Sequence, residues 1–396
     1  MSGGRVLVVN AGSSSLKYRL LDAASGETLA SGLVAEIGGA SHWRHRGSEE
    51  HDEDVDCGDH AAAFALARGA LEAGDGLGDL VGVGHRVVHG GARFTEPTRV
   101  DDDVLAALDA LAPLAPLHNP ANAEGIRRAG EAFPGVPGVA VFDTAFHRTI
   151  PPAAHTYAVP RGWREEHDVR RFGFHGSSYA YVSRRTAALL GRPVEELRMV
   201  VLHLGNGASA CAVDGGRSVE TSMGLTPTEG LVMGTRSGDV DPSLGGYLER
   251  VLGLDAAAYD RALNRESGLL GLCGVSDFRT VLDRVAAGDE DARLALDATV
   301  HRVVKYAGAY AAVLGALDAL VFTGGIGERA APFRAAVVER LGLLGVRVDP
   351  EANEAGAPER RISAPGSAVE VWVVPTDEER EIARETLRLL GGDPRW

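Results

Sequence analysis

Val8-Val9-Asn10-Ala11-Gly12-Ser13-Ser14-Ser15-Leu16-Lys17-Tyr18-Arg19 is the stretch from which the chain is best read. The apolar run Val6 to Val9 predicts a buried strand, and alternating Leu16, Tyr18 and Leu20 predict a returning one. The turn between them is polar and exposes backbone. Gly12 allows a ligand to approach the main chain, Ser13, Ser14 and Ser15 offer hydroxyl and amide donors, and Lys17 adds a positive charge. That chemistry suits a phosphate, although Gly and Ser also favour a plain hairpin turn. Lys17 stands out because the chain holds only one other lysine, Lys305, and otherwise uses arginine.

At 396 residues the chain exceeds what one core serves, so two domains are expected. Hydrophobic residues make up 45% and charged residues 24%, as in an ordinary globular protein. A net charge of -15 disfavours nucleic acid and anionic membranes as partners, so an anionic ligand must be held by locally placed Arg and Lys. Cys57, Cys211 and Cys273 form neither a disulfide framework nor a zinc pattern. Without a leader-like or membrane-length apolar segment, the expected location is the cytoplasm.

Strand-like runs alternate with helical ones in both halves. The first half reads as strands at 5–9, 16–21, 80–83 and 138–142, with helices at 61–73 and 104–111. The second reads as strands at 199–204, 210–213, 320–323 and 369–374, with helices at 179–190, 244–252 and 292–314. This predicts an α/β architecture with a mixed sheet in each half. The block Val6 to Ser15 also lines up without gaps on Val201 to Ala210, sharing Val, Leu, Gly and Ser in register. A pair of such hairpins facing each other would form a nucleotide cleft between two domains. The polar segment 42–54, with three histidines and several acids, is read as a solvated hairpin or loop.

No Walker sequence is present. Gly205 to Ala210 fits G-x-G-x-x-A, but the residues after it read as strand, where a Rossmann site needs a helix. What remains is a set of polar clusters at strand ends. Arg86 lies among glycines in Gly84-His85-Arg86-Val87-Val88-His89-Gly90-Gly91. Asp143 ends a strand in Phe142-Asp143-Thr144-Ala145-Phe146-His147, where a helix N-cap is its competing role. His175 sits in Arg171-Phe172-Gly173-Phe174-His175-Gly176, Arg236 in Met233-Gly234-Thr235-Arg236-Ser237-Gly238-Asp239, and a glycine turn in Thr323-Gly324-Gly325-Ile326-Gly327-Glu328.

Taken with Pro116-Leu117-His118-Asn119-Pro120, His203-Leu204-Gly205-Asn206-Gly207 and Thr376-Asp377-Glu378-Glu379, these blocks resemble the short-chain acyl kinases, the acetate kinase family, within the actin-like ATPase and sugar kinase superfamily. The resemblance implies two actin-like, ribonuclease H-like domains, residues 1–148 with a returning helix at 379–396, and 149–378. It implies reversible, Mg2+-dependent phosphoryl transfer between ATP and acetate by direct in-line displacement, with Mn2+ able to substitute and a homodimer as the assembly. Asn10 and Glu378 would hold the metal. Ser13, Ser15, Lys17, His203, Leu204, Gly205, Asn206 and Gly207 would meet the nucleotide's phosphates, and Asp277, Phe278, Arg279, Gly324, Gly325, Ile326, Gly327 and Glu328 would border the adenosine. Arg86, Asp143, His175 and Arg236 would be catalytic, and Arg86, Val88, Leu117, Phe174 and Pro227 would receive the acyl substrate. A propionate or butyrate kinase is the nearest alternative, and a non-catalytic actin-like nucleotide-binding scaffold is a more distant one.

Overall fold

The computed structural model describes residues 4–394 and 396. Met1 to Gly3, with which the expected first domain begins, and Arg395, within its expected returning segment, lie outside the described residues. The chain divides into one unit of Met1–Phe146 with Asp377–Trp396 and a second of His147–Thr376.

The first unit is built on strands β1 (Arg5–Gly12), β2 (Ser15–Asp22), β3 (Thr28–Ala35), β4 (His42–Arg46), β5 (Glu50–Asp54), β6 (Leu80–Val87), β7 (Thr98–Arg99) and β8 (Gly138–Phe142), in the order β5-β4-β3-β2-β1-β6-β8-β7. The strands from β5 to β1 pair antiparallel, β6 and β8 extend the sheet in parallel, and β7 closes it antiparallel. Strand β1 carries the unbroken apolar run Val6 to Val9, which suits a strand covered on both faces. Val6 and Val8 point to the core shared with Ile382, Ala383 and Leu387 of the last helix, Glu378–Leu389. Leu7, Val9 and Ala11 point to the opposite core, with Phe64, Ala67 and Ala129 of the helices His60–Ala70 and Asn119–Ala132.

The second unit holds β9 (Arg198–Leu204), β10 (Ala208–Asp214), β11 (Arg217–Thr221), β12 (Ala319–Thr323), β13 (Arg360–Arg361) and β14 (Glu370–Val373), ordered β11-β10-β9-β12-β14-β13. Its pairing repeats that of the first unit: an antiparallel meander, two parallel strands and a final antiparallel one. Both units therefore carry the mixed sheet of an actin-like fold, and the first adds the hairpin β4–β5. The duplication is one of topology and not of the gapless register read from sequence. β1 runs as far as Gly12 before a two-residue turn, whereas β9 stops at Leu204 and turns over Gly205, Asn206 and Gly207. Residues Cys211 to Asp214 lie in β10, the strand that rules out a Rossmann site.

Candidate active site

In the first unit the candidate residues gather where β1, β6 and β8 end. β6 and β8 are neighbours, so Arg86 and Asp143 come together although 57 residues separate them. The guanidinium grips the carboxylate with both arms, Nε to Oδ1 at 3.0 Å and Nη2 to Oδ2 at 2.7 Å, and Glu378 approaches Arg86 at 3.6 Å. Asp143 is thus an ion-pair partner and does not serve as a helix N-cap. Burial weakens the charge on both groups and raises the Asp143 carboxyl, while Asp143 and Glu378 more than offset that burial for Arg86 and hold its proton firmly. The pair is a preformed positive fork whose neutralisation is already built in.

The loop after β6 is pinned by residues to which the sequence reading gives no role. Asn122 donates to the Ala11 carbonyl at 2.8 Å and accepts from Val88 N–H at 3.1 Å. Asn119 exchanges two hydrogen bonds with the backbone of His89, and Thr144 accepts from Gly90 N–H. Both asparagines are buried and lie in the first turn of the helix Asn119–Ala132, three residues apart and hence on one face. A buried Asn pair at that spacing beside a proline at the helix start was the available clue. Val88 is half-buried, and Leu117 is exposed in the turn before this helix.

At the β1–β2 turn, His60 donates to the Gly12 carbonyl at 2.8 Å, and Ser13 is exposed while Ser15 is half-buried. Lys17 is engaged: it pairs with Glu379, which also meets Arg19 at 3.3 Å. Burial would raise the Glu379 carboxyl, but Lys17 and Arg19 outweigh it and hold it low. Asp377 takes Arg19 at 2.7 Å while its side chain caps the last helix. The residues expected to hold a metal also belong to this unit. Asn10 on β1 and Glu378 on the packed last helix offer amide and carboxylate oxygens, and among the described residues no cluster of three or more His, Cys, Asp or Glu surrounds them. That sparse hard-oxygen set fits Mg2+, which keeps waters and substrate phosphates as its remaining ligands.

In the second unit, His175 and Arg236 converge on the turn after β9. A Cβ placed on Gly207 would lie 3.5 Å from Arg236 Nη1 and 3.6 Å from His175 Nε2, so both donors stand over bare backbone. His175 adopts a left-handed conformation, φ 59°, at the start of the helix Gly176–Leu190, and its ring stacks on His203 at 4.1 Å. Buried His147 donates from Nε2 to the Phe174 carbonyl at 2.8 Å, holding the peptide just before that bend. Burial pushes the His147 imidazole down to about 4, so it is neutral there.

Arg236 is different from Arg86. It donates to the Pro227 carbonyl at 3.0 Å and lies 3.6 Å from Met233 Sδ, and among the described residues no carboxylate pairs with it. Burial disfavours its charge and lowers its pKa. A half-buried guanidinium held without a counterion is a ready anion site. Arg171 fastens the loop that carries Pro227 and Arg236 by donating to the carbonyls of Thr221, Ser222 and Met223 and to Glu229.

The expected adenosine border is mixed in character. Gly324 to Glu328 form a short helix, Gly324–Arg329, and not an open glycine turn. Gly324, at φ 76°, packs against Leu204, whose carbonyl would lie 2.8 Å from any Cβ. Asp277 caps the helix Phe278–Ala286, Phe278 is buried edge-on to Phe333, and Arg279 is exposed.

The profile of the acetokinase family matches residues 5–384. An acetate kinase of Leifsonia xyli is 58% identical over 97% of this chain and 98% of its own. Among solved structures, an acetate kinase of Porphyromonas gingivalis is 41% identical with a TM-score of 0.91, covering 98% of this chain and 100% of its own. A propionate kinase of Francisella tularensis is 40% identical with a TM-score of 0.93, covering 97% and 99%. With a profile match across nearly its whole length and close relatives over the same span, the chain belongs to the acetokinase family.

Proposed function

We propose that this chain transfers a phosphoryl group reversibly between ATP and acetate, giving ADP and acetyl phosphate, with Mg2+ held through Asn10 and Glu378. The observation that carries the reading is Arg236, a guanidinium beside His175 Nε2 with no carboxylate partner among the described residues. Two anions must meet in this reaction, and a cation beside an imidazole donor offsets their repulsion. Arg236 and His175 Nε2 bind the moving phosphoryl oxygens. Arg86, oriented by Asp143, binds the carboxylate, and the apolar side chains assigned to its methyl group are Val88 and Leu117 on the first unit and Phe174 and Pro227 on the second. The acceptor carboxylate is already ionised at neutral pH, so no general base is needed and Asp143 is free to act as the orienting partner of Arg86. Asn10 and Glu378 would hold the Mg2+, which when bound would supply positive charge to the phosphate chain. The turn residues Ser13, Ser15 and His203 to Gly207 supply donors to the nucleotide's phosphates. Lys17 joins them by exchanging Glu379 for phosphate.

Acetate is favoured over propionate because relatives 58% and 56% identical, of Leifsonia xyli and Streptomyces avermitilis, are named acetate kinases, while the likeness to a propionate kinase keeps the longer acid as the second reading. Turnover of pure protein with ATP, Mg2+ and each of acetate, propionate and butyrate decides between them. Absence of acyl phosphate with all three would leave a nucleotide-binding scaffold. Direct in-line transfer should invert a chiral γ-phosphoryl group, and net retention would indicate a covalent intermediate. A homodimer is supported by the helix Leu244–Leu252, whose Tyr247, Val251 and Leu252 are 55%, 55% and 71% exposed along one side. A cytoplasmic location is supported by three free buried cysteines, which suit a reducing compartment.

A further inference from the structure

His175 is held from behind by a chain that the mechanism above does not use. Its Nδ1 lies 2.8 Å from Ser209 Oγ, and Ser209 Oγ lies 2.5 Å from the Tyr179 hydroxyl. That hydroxyl also takes the backbone N–H of His203. Ser209 and Tyr179 are both fully buried. Ser209 sits on β10 directly across the ladder from His203, and Tyr179 lies one helical turn beyond His175.

Of the two directions these contacts permit, the N–H entering the Tyr179 oxygen favours the one in which Tyr179 donates to Ser209 Oγ and Ser209 donates to His175 Nδ1. An imidazole accepting at Nδ1 carries its proton on Nε2. Nε2 is the atom that stands over Gly207 beside Arg236.

We propose that Tyr179 and Ser209 are positioning residues that lock His175 in the Nε2–H tautomer, so that a neutral ring presents a donor, and not a lone pair, to the phosphoryl oxygens. Without the lock, a neutral ring could place its lone pair against anionic oxygen. Loss of tautomer control over a catalytic imidazole has cost up to about 10⁴ in rate in a serine protease. The inference rests on His175 acting as a phosphoryl donor, and its test separates the two ideas.

Nitrogen NMR of 15N-histidine-labelled, ligand-free protein, at a pH above the ordinary imidazole value of about 6.5, reads the tautomer directly. Wild type should show His175 protonated on Nε2. Ser209→Ala should introduce the Nδ1–H form and lower kcat about 10- to 100-fold with the Michaelis constants for ATP and acetate nearly unchanged. Ser209→Thr, which keeps the hydroxyl, should retain the tautomer and most of the rate. Tyr179→Phe should fall between, because Ser209 can still donate once its own donor is gone. These two variants keep the test alive if Ser209→Ala does not fold. Nδ1–H in wild type, or an unchanged spectrum in Ser209→Ala, overturns the lock. A changed tautomer with unchanged kcat instead overturns the role given to His175.

Discussion

Arg86 and Arg236 are expected to fail in different ways when each is changed to alanine, although sequence alone assigns them one task. Arg86 is one half of a bidentate pair with a carboxylate that is 2% exposed. Removing the guanidinium leaves that carboxylate buried and unpaired, a change that costs about 3–5 kcal/mol. For a folding unit of this size that is a fall in melting temperature of about 6–20 °C. Arg236 has no such partner among the described residues, and burial works against its charge. Its removal forfeits a charge-assisted hydrogen bond to the Pro227 carbonyl but relieves a desolvated cation, and because the two effects oppose each other stability should move by less than about 1 kcal/mol. Both variants should lose acyl phosphate formation, each by about 10²- to 10³-fold in kcat, as for deletion of a preorganised donor at a developing charge.

The assay is thermal unfolding beside steady-state turnover on the same preparations, with a third protein, Arg86→Ala/Asp143→Ala. Removing the stranded carboxylate should return most of the stability lost by Arg86→Ala without returning activity. Equal destabilisation by the two arginine changes, or a double variant no more stable than Arg86→Ala, would refute the assignment of Arg86 as a paired fork and Arg236 as an unpaired one.

The sequence discloses what local chemistry controls. Val6 to Val9 is legible as a doubly buried strand because each residue is apolar, and segment 42–54 is legible as a hairpin, but its solvated reading fails at Trp43 and His45, which are buried on β4 with His45 Nδ1 2.7 Å from the Tyr18 hydroxyl. β3 is not legible, because Ser31 and Gly32 interrupt its alternation. Gly32 is there for a non-local reason, since the Tyr18 ring from the neighbouring strand occupies the space a Cβ would take. The site divides in the same way. Arg236 among turn residues is visible as a candidate, but its lack of a counterion is a property of the folded loop. That Arg86 already holds Asp143 depends on β6 and β8 becoming parallel neighbours, which follows from a crossover connection and not from either segment. Ser209 and Tyr179 reach His175 from a strand and a helix whose packing no spacing rule connects.

Three further outcomes follow from particular contacts. Val88→Ala should shift relative turnover from acetate toward propionate and butyrate, by up to about 10-fold for the methyl groups removed; an unchanged ranking would place Val88 away from the acyl chain. Gly324→Ala should destabilise the second unit by more than about 1 kcal/mol, since a Cβ there meets both a left-handed φ of 76° and the Leu204 carbonyl, and urea unfolding reads the loss. His147 should make the protein acid-sensitive, because burial holds its folded pKa near 4 against an unfolded value of about 6.5. Between those values the unfolded chain binds a proton that the folded chain refuses, so the contribution is whole above about pH 6.5 and is lost progressively as pH falls toward 4, by roughly 3 kcal/mol in all. Buried His85, held down to about 3, adds in the same direction. His147→Gln, which can still donate toward the Phe174 carbonyl, should flatten the dependence of the urea midpoint on pH across that window, and a slope equal to wild type would show that the proton is taken up elsewhere.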